Sequence, residues 1–119
     1  MGNIDMKDTM NKSMIKNKLD GKSLKVQLNG TVYDTVFCVK SYYNRRPTLV
    51  LLTNDQEIDL FCTLTCNLPD IPLEDDEVII KNWSENEDIA KAALASGYFQ
   101  DTGKRISTGF VQAPIWRVL

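Results

Sequence analysis

Apolar residues occupy every even position in the segment from residue 58 to residue 68. They are Ile58, Leu60, Cys62, Leu64, Cys66 and Leu68. The odd positions are polar, with Phe61 as the exception. Successive side chains of a β-strand point to opposite faces, so this alternation is typical of a strand with one face on a core and the other toward water. The segment therefore predicts a long strand whose even face is buried, and the rest of the fold is organised around it.

The residues before this strand predict three further strands that pair with one another in order. Residues 24–28 alternate between apolar and polar, and Asn29 and Gly30 follow them. This dipeptide tolerates the positive φ that a type I′ turn requires at both central positions, so a hairpin is predicted here. Its return strand should run from Thr31 to about Tyr43, and the apolar segment from Thr48 to Leu52 fits a central strand. The first half of the chain thus predicts a four-stranded antiparallel meander.

The second half predicts one main helix. Ser84 and Glu87 have the spacing of a capping box, so we expect a helix at about residues 85–96, with Ile89 among its buried residues. Gly97 suits the left-handed conformation that ends many helices. The other expected features are short strands at residues 78–80, 110–111 and 115–119, a turn at residues 101–103, and an edge or bulge at Pro114. The predicted fold class is α+β, with an antiparallel sheet and one main helix.

A chain of 119 residues has the length of one domain. Residues 1–22 are rich in Lys, Asn, Asp and Met and lack a strong helix N-cap, so we expect a flexible or marginally helical arm there. A partner-binding helix is the alternative for this segment. The α+β domain would then comprise residues 23–119. No apolar run approaches the ~18 residues of a membrane span and no signal peptide is visible, so a cytoplasmic location is expected.

The chain contains three cysteines, Cys38, Cys62 and Cys66, and no histidine. An odd number of cysteines without a secretion signal favours reduced thiols. On a regular strand, the Cα atoms of Cys62 and Cys66 would be about 13 Å apart, which is too far for a disulfide or, without a bulge, for one zinc ion. We therefore expect buried thiols and no cofactor. A zinc site formed by the three cysteines and a carboxylate is the less favoured alternative.

The net charge of −2 conceals an uneven distribution along the chain. Residues 1–50 contain nine Lys or Arg and four Asp or Glu, whereas residues 51–119 contain five and twelve. Eight of the twelve acidic residues in this second part lie between residues 70 and 88. An acidic surface attracts basic partners and repels nucleic acid. The predicted partner-binding residues are Asp70, Glu74, Asp75, Asp76, Glu77, Trp83, Glu85, Glu87 and Asp88.

A second cluster, of basic and aromatic residues, lies between residues 40 and 46. Its members are Lys40, Tyr42, Tyr43, Arg45 and Arg46. They offer an alternative contact with nucleic acid, because bases stack on aromatic rings and phosphates pair with cations. No enzyme chemistry is indicated, since the absence of histidine excludes Ser-His and Cys-His pairs and no glycine-rich loop precedes a helix. The sequence therefore favours a binding protein over an enzyme.

Three segments carry a resemblance to a known family: T-L-T-C-N-L-P-D (Thr63 to Asp70), E-D-D-E-V-I-I-K-N-W-S-E-N-E (Glu74 to Glu87) and D-T-G-K-R-I-S-T-G-F-V-Q-A-P (Asp101 to Pro114). From Leu24 to Leu119 the chain resembles small proteins of unknown function carried by phages, plasmids and conjugative elements of Gram-positive and gut bacteria. That family has no agreed activity and no catalytic residues to carry over. Some relatives of this kind are assigned as inhibitors of type II CRISPR nucleases. The chain departs from the family in its longer N-terminal arm and in its two strand cysteines, Cys62 and Cys66.

The resemblance implies an anti-defence protein of a mobile element that acts in the cytoplasm of a bacterial host. The leading hypothesis is an anti-CRISPR protein that binds and inhibits a type II (Cas9) effector through the acidic surface. The alternative is a nucleic-acid-associated accessory protein of the element that acts through its basic N-terminal half. Salt-dependent binding to bare DNA separates the two hypotheses, because only the alternative requires it.

Overall fold

The computed structural model describes residues 14–54 and 58–119, and within them the chain forms two antiparallel sheets and two helices. The first sheet has the order β1-β2-β3-β4 and the second the order β5-β7-β6. The elements are helix α1 (residues 14–19), β1 (Ser23–Leu28), β2 (Thr31–Ser41), β3 (Pro47–Asn54), β4 (Ile58–Thr63), β5 (Glu77–Ile79), a 3-10 turn (Ser84–Asn86), helix α2 (Glu87–Ala95), β6 (Phe99–Ser107) and β7 (Gln112–Val118). The predicted α+β class and the four-stranded meander are confirmed.

The β1–β2 hairpin turns at the predicted dipeptide. Leu28 pairs with Thr31, so only Asn29 and Gly30 connect the two strands. Their φ angles are 51° and 82°, which are the two positive values that a type I′ turn requires. This turn sets the register of the first sheet, because a two-residue loop allows only one pairing of the strands that it joins.

The long strand predicted at residues 58–68 ends at Thr63, and two of the six even positions of the predicted strand point outward. Cys62 and Leu64 are buried, but Ile58 and Leu60 are 71% and 64% exposed. The reason is a bulge: Leu51 pairs with Cys62 and Leu52 with Leu60, so one residue of β4 has no partner. An unpaired residue shifts the alternation by one, so the even positions point to one face before it and to the opposite face after it. The prediction was therefore wrong for Ile58 and Leu60.

The core lies between the two sheets and under both helices. It includes Phe37 and Leu51 from the first sheet, Trp116 and Val118 from the second, and Ile89 from α2. The chain passes between the sheets after β4, where Thr65 forms an isolated bridge with Ile80. The second sheet also packs a smaller cluster of Ile79, Ala113 and Ile115 on its own other side.

Helix α1 belongs to this core. Its residues Ile15 and Leu19 are 1% and 0% exposed and pack in the main cluster. The Asp20 carboxylate also accepts a hydrogen bond from the backbone N–H of Val39 at 2.7 Å. Residues 14–22 therefore pack on the core and do not form the expected arm. The burial of two large apolar side chains stabilises this arrangement over a mobile segment. The expectation for residues 1–13 lies outside the described residues.

Helix α2 ends as predicted but begins differently. Gly97 follows it with a φ of 86°, which confirms the left-handed stop. The capping box is absent, since Ser84 has a φ of 56° and starts a 3-10 turn, and no side chain caps α2. Asn86 instead donates to the carbonyl oxygens of Thr63 and Lys81. Contacts with distant backbone therefore decide where this helix begins.

Within the described residues, no helix is long and apolar enough to cross a membrane.

The segment around Gly103 is strand rather than the expected turn. Asp101 pairs with Trp116 and Arg105 pairs with Pro114, so three residues of β6 lie opposite Ile115 alone. Gly103 has a φ of 84° within this bulge. Positive φ is typical of glycine in bulges as well as in turns, which explains the error. Pro114 lies in the middle strand opposite the bulge, where the ladder is interrupted.

Candidate partner-binding site

The acidic segment before β5 lies along a wide cavity of about 730 Å³. Glu74, Asp75, Asp76 and Glu77 line it from one side, and side chains of α1, β6 and β7 line the rest. Asp70 lies outside this lining and is exposed at the surface. The structure therefore brings four of the predicted partner-binding residues together along one concave surface.

Glu77 does not belong to the exposed part of this surface. Its side chain is fully buried, with one oxygen 2.6 Å from the Lys104 ammonium and 3.8 Å from the Arg117 guanidinium. The other oxygen accepts a hydrogen bond from the backbone N–H of Glu74 at 2.8 Å. Burial raises the pKa of Glu77, but the Lys104 ammonium and the Glu74 N–H outweigh it, so the pKa is lowered overall. Its prediction as a surface contact was wrong, because two cations from distant strands hold the carboxylate inside.

Asp76 is also engaged, since its carboxylate lies 3.0 Å from the Arg117 guanidinium. Asp70, Glu74 and Asp75 make no ion pair with a cation of the described residues. Unpaired surface carboxylates keep their charge free for a partner, whereas paired ones are largely neutralised at short range. These three residues are the part of the acidic segment that can attract a basic protein.

The second acidic group lies at the start of α2. The Glu85 carboxylate is 2.9 Å from the Lys81 ammonium, which lowers the pKa of Glu85 through a hydrogen bond. Glu87 and Lys91 form a longer ion pair of 3.4 Å. Asp88 is exposed and makes no ion pair with a described residue. The three carboxylates of this group lie beside two lysines, so the group keeps a net charge of −1, which Asp88 supplies.

Trp83 is half-buried and packs against the cluster of Ile79, Ala113 and Ile115. Its role in the fold is therefore to cover the far side of the second sheet. The half-exposed ring can still contact a partner that approaches α2, because an aromatic ring at a surface provides a large area at low entropic cost. The predicted contact residue is thus partly available.

Two residues of the basic and aromatic cluster make contacts within the fold, and the other three lie at the surface. The Tyr42 hydroxyl lies 2.9 Å from the Thr65 hydroxyl and 3.1 Å from its carbonyl oxygen, and burial raises the pKa of Tyr42. The Arg46 guanidinium donates to the carbonyl oxygens of Leu68 and Ile71. These two side chains hold the loop after β4 in place. Three members of the cluster remain at the surface: Lys40, Tyr43 and Arg45.

The three cysteines are free thiols, with Cys62 buried and Cys38 and Cys66 half-buried. Burial raises the pKa of Cys62 to about 11, and it also raises the pKa of Cys66. High pKa values keep these thiols protonated and therefore unreactive as nucleophiles. Within the described residues, no three Cys, His, Asp or Glu side chains come together to hold a metal ion.

Sequence reasoning missed the residues that organise the cavity, namely Asp101, Lys104 and Arg117. Lys104 and Arg117 reach Glu77 only because β6 and β7 pair beside β5. The one local signal was the spacing of Asp101 and Arg105, which form a two-point ion pair of 2.9 and 2.8 Å.

Comparison of the chain with protein-family models, curated proteins and solved structures found no match.

Proposed function

We propose that this protein is a non-enzymatic binding protein that inhibits a basic, nucleic-acid-handling protein through its acidic surface. The observation that carries the proposal is that Asp70 and Glu74 are exposed and Asp75 is half-buried, and that none of the three forms an ion pair with a cation of the described residues. Such carboxylates can take the place of phosphates on a basic surface, which attracts both by the same Coulomb force. The residue resemblance described above points to a Cas9-type effector as the target.

The ion pairs of Glu77 and Asp76 support this arrangement. Glu77 and Asp76 are held by Lys104 and Arg117, so they anchor the acidic segment to the second sheet. A segment that is fixed at one end presents its remaining charges in a constant geometry, which lowers the entropy lost on binding. The anchored residues and the exposed residues therefore have separate roles.

The protein's chemistry supports binding rather than catalysis. The chain has no histidine, and burial raises the pKa of two of its three thiols. The alternative function, direct contact with nucleic acid, loses two of its five residues to the fold, since Tyr42 and Arg46 bind backbone groups of the loop after β4. Lys40, Tyr43 and Arg45 could still make that contact, and they define its test.

The proposal is tested in a Cas9 cleavage assay with effectors from several hosts. We expect the wild-type protein to inhibit and the Glu74→Lys/Asp75→Lys variant to lose at least about tenfold in inhibition at low salt. The matched control is Asp34→Lys/Asp59→Lys, which makes the same charge change on exposed residues of the first sheet and should inhibit normally. Equal loss of inhibition in both variants would mean that the net charge of the protein matters and the position of the acidic residues does not.

Two further outcomes decide between the hypotheses. Failure of the wild-type protein to bind or inhibit any effector tested would remove the anti-CRISPR assignment. Salt-dependent binding to bare DNA that is lost in a Lys40→Glu/Tyr43→Ala variant would instead support the nucleic-acid alternative. The acidic and basic sites lie on different elements, so each pair of substitutions tests one hypothesis only.

A further inference from the structure

The first sheet has an apolar surface on the side that faces away from the core. Phe37 and Leu51 pair across β2 and β3 and point into the core, so their neighbours along each strand point to the opposite side, here called the outer face. Strand register places these aliphatic residues on the outer face: Val32, Val36, Val50, Leu52, Ile58 and Leu60. None of them belongs to either hydrophobic cluster that the described residues form. The sheet therefore carries a second apolar surface that is separate from the core.

This outer face is large enough for a protein interface. Val32, Ile58 and Leu60 are 58%, 71% and 64% exposed, and contiguous exposed aliphatic side chains mark a site of association. Four strands about 4.8 Å apart and the eight residues of β3 at about 3.3 Å each give the face a plane of about 500 Å². Because side chains add relief to this plane, its accessible area is of the order of the ~800 Å² that each partner buries in a typical interface.

The charges on β2 indicate which surface fits the outer face. Asp34 lies on this face toward one end of β2 and Lys40 toward the other, with Val36 and Cys38 between them. Both charged residues are exposed, and neither forms an ion pair with another residue that the structure describes. They are six residues apart, which is about 20 Å along a strand. The same face turned end for end therefore presents a cation opposite the anion and an anion opposite the cation.

We propose that the outer face binds the outer face of a second copy of this chain. The two-fold axis runs perpendicular to β2, between Val36 and Cys38, so that Asp34 of each copy meets Lys40 of the other. Sheets that pack face to face lie about 10 Å apart, a distance that a lysine and an aspartate side chain span together. A contact in which both copies use the same surface closes on itself, so the product is a dimer.

This interface is separate from the acidic segment. It belongs to β2, β3 and β4, whereas Asp70, Glu74 and Asp75 lie in the connection before β5. The inference therefore goes beyond the proposed function and does not depend on it. A monomeric variant should bind a basic protein as the wild-type protein does.

Sedimentation equilibrium at protein concentrations up to about 500 µM measures the association, and we expect a dimer with a Kd on the order of 10 µM. Leu60→Asp places a carboxylate in the apolar contact and should weaken the dimer at least about tenfold. The matched control Phe110→Asp makes the same change at an exposed apolar residue between β6 and β7 and should leave the dimer unchanged. Both residues are exposed in the single chain, so both variants should fold normally.

A charge exchange tests the orientation of the two copies. Asp34→Lys and Lys40→Asp should each weaken the dimer at least about tenfold, because each creates two contacts between like charges. The double variant Asp34→Lys/Lys40→Asp restores opposite charges across the axis and should regain the wild-type affinity, although each monomer carries both changes. A wild-type protein that stays monomeric at the highest concentration would overturn the proposal. It would also be overturned by a dimer that Leu60→Asp leaves intact, by equal weakening in Phe110→Asp, or by a double variant that binds no tighter than the single ones.

Discussion

The carboxylate of Glu77 lies 2.6 Å from the ammonium of Lys104, and the Glu77 side chain is fully buried while Lys104 is half-exposed. Lys104→Met should therefore leave a buried carboxylate with only the Arg117 guanidinium, 3.8 Å away, to balance it. We expect a loss of about 2 to 4 kcal/mol in the free energy of unfolding, measured by urea denaturation. The control Lys91→Met removes an exposed helix pair and should cost less than about 0.5 kcal/mol. Similar losses in both variants would mean that Glu77 is solvated.

Glu77 also makes stability depend on pH. Its pKa in the folded protein is lowered, chiefly because the Lys104 and Glu74 contacts outweigh the effect of burial. A lowered pKa adds stability above the unfolded value of about 4.3, and this stability is lost as the pH falls through the folded pKa. The wild-type protein should therefore exceed Glu77→Gln in stability at pH 7, and the two should converge in acid. Parallel stability curves from pH 7 to pH 2 would contradict this assignment.

The bulge in β4 predicts opposite results for two leucines. Leu64 is 0% exposed, whereas Leu60 is 64% exposed. Leu64→Ala should cost about 2 to 5 kcal/mol, because it opens a cavity in the core. Leu60→Ala should cost less than about 0.5 kcal/mol, since its side chain is mostly in water already. Denaturant titration of both variants gives the comparison. An equal cost at the two sites would mean that Leu60 is buried like Leu64, as the alternation in the sequence predicts.

Helix α1 should be required for stability. Leu19 is fully buried in the main core, while Asn17 on the same helix is exposed. Leu19→Ala should lower the free energy of unfolding by about 2 to 5 kcal/mol, and Asn17→Ala should change it little. A truncation that removes residues 1–22 should lower the thermal midpoint by many degrees. A truncated protein with an unchanged midpoint would support the expected arm.

The thiol of Cys62 should react slowly in the folded protein. Burial raises its pKa to about 11, so at pH 8 only about one thiol in a thousand is ionised. Compared with an ordinary cysteine of pKa ~8.5, alkylation should be slower by more than a hundredfold. Peptide mass spectrometry after iodoacetamide treatment measures the rate at Cys62, and all three cysteines should react in urea. Fast modification of Cys62 in the native protein would contradict its burial.

Several parts of the fold follow from short segments of sequence. The Asn29–Gly30 turn, the stop of α2 at Gly97 and the apolar strand β3 were all predictable, because each depends on the conformational preference of a few neighbouring residues. The concentration of acidic residues between residues 70 and 88 was equally visible. Local chemistry therefore determined the class of the fold and the sign of the charge on the candidate site.

Other features depend on residues that are distant in the chain. The register shift opposite Leu51 and Leu52 turned Ile58 and Leu60 outward, although the alternation in the sequence continues without a break. The strand order β5-β7-β6 brought Lys104 and Arg117 to Glu77, and so removed Glu77 from the surface and paired Asp76 with Arg117. Pairing between strands is set by the best packing of the whole core, which no short segment encodes. The sequence alone thus determined which residues carry charge or apolar area, and the tertiary structure decided which of them lie at the surface.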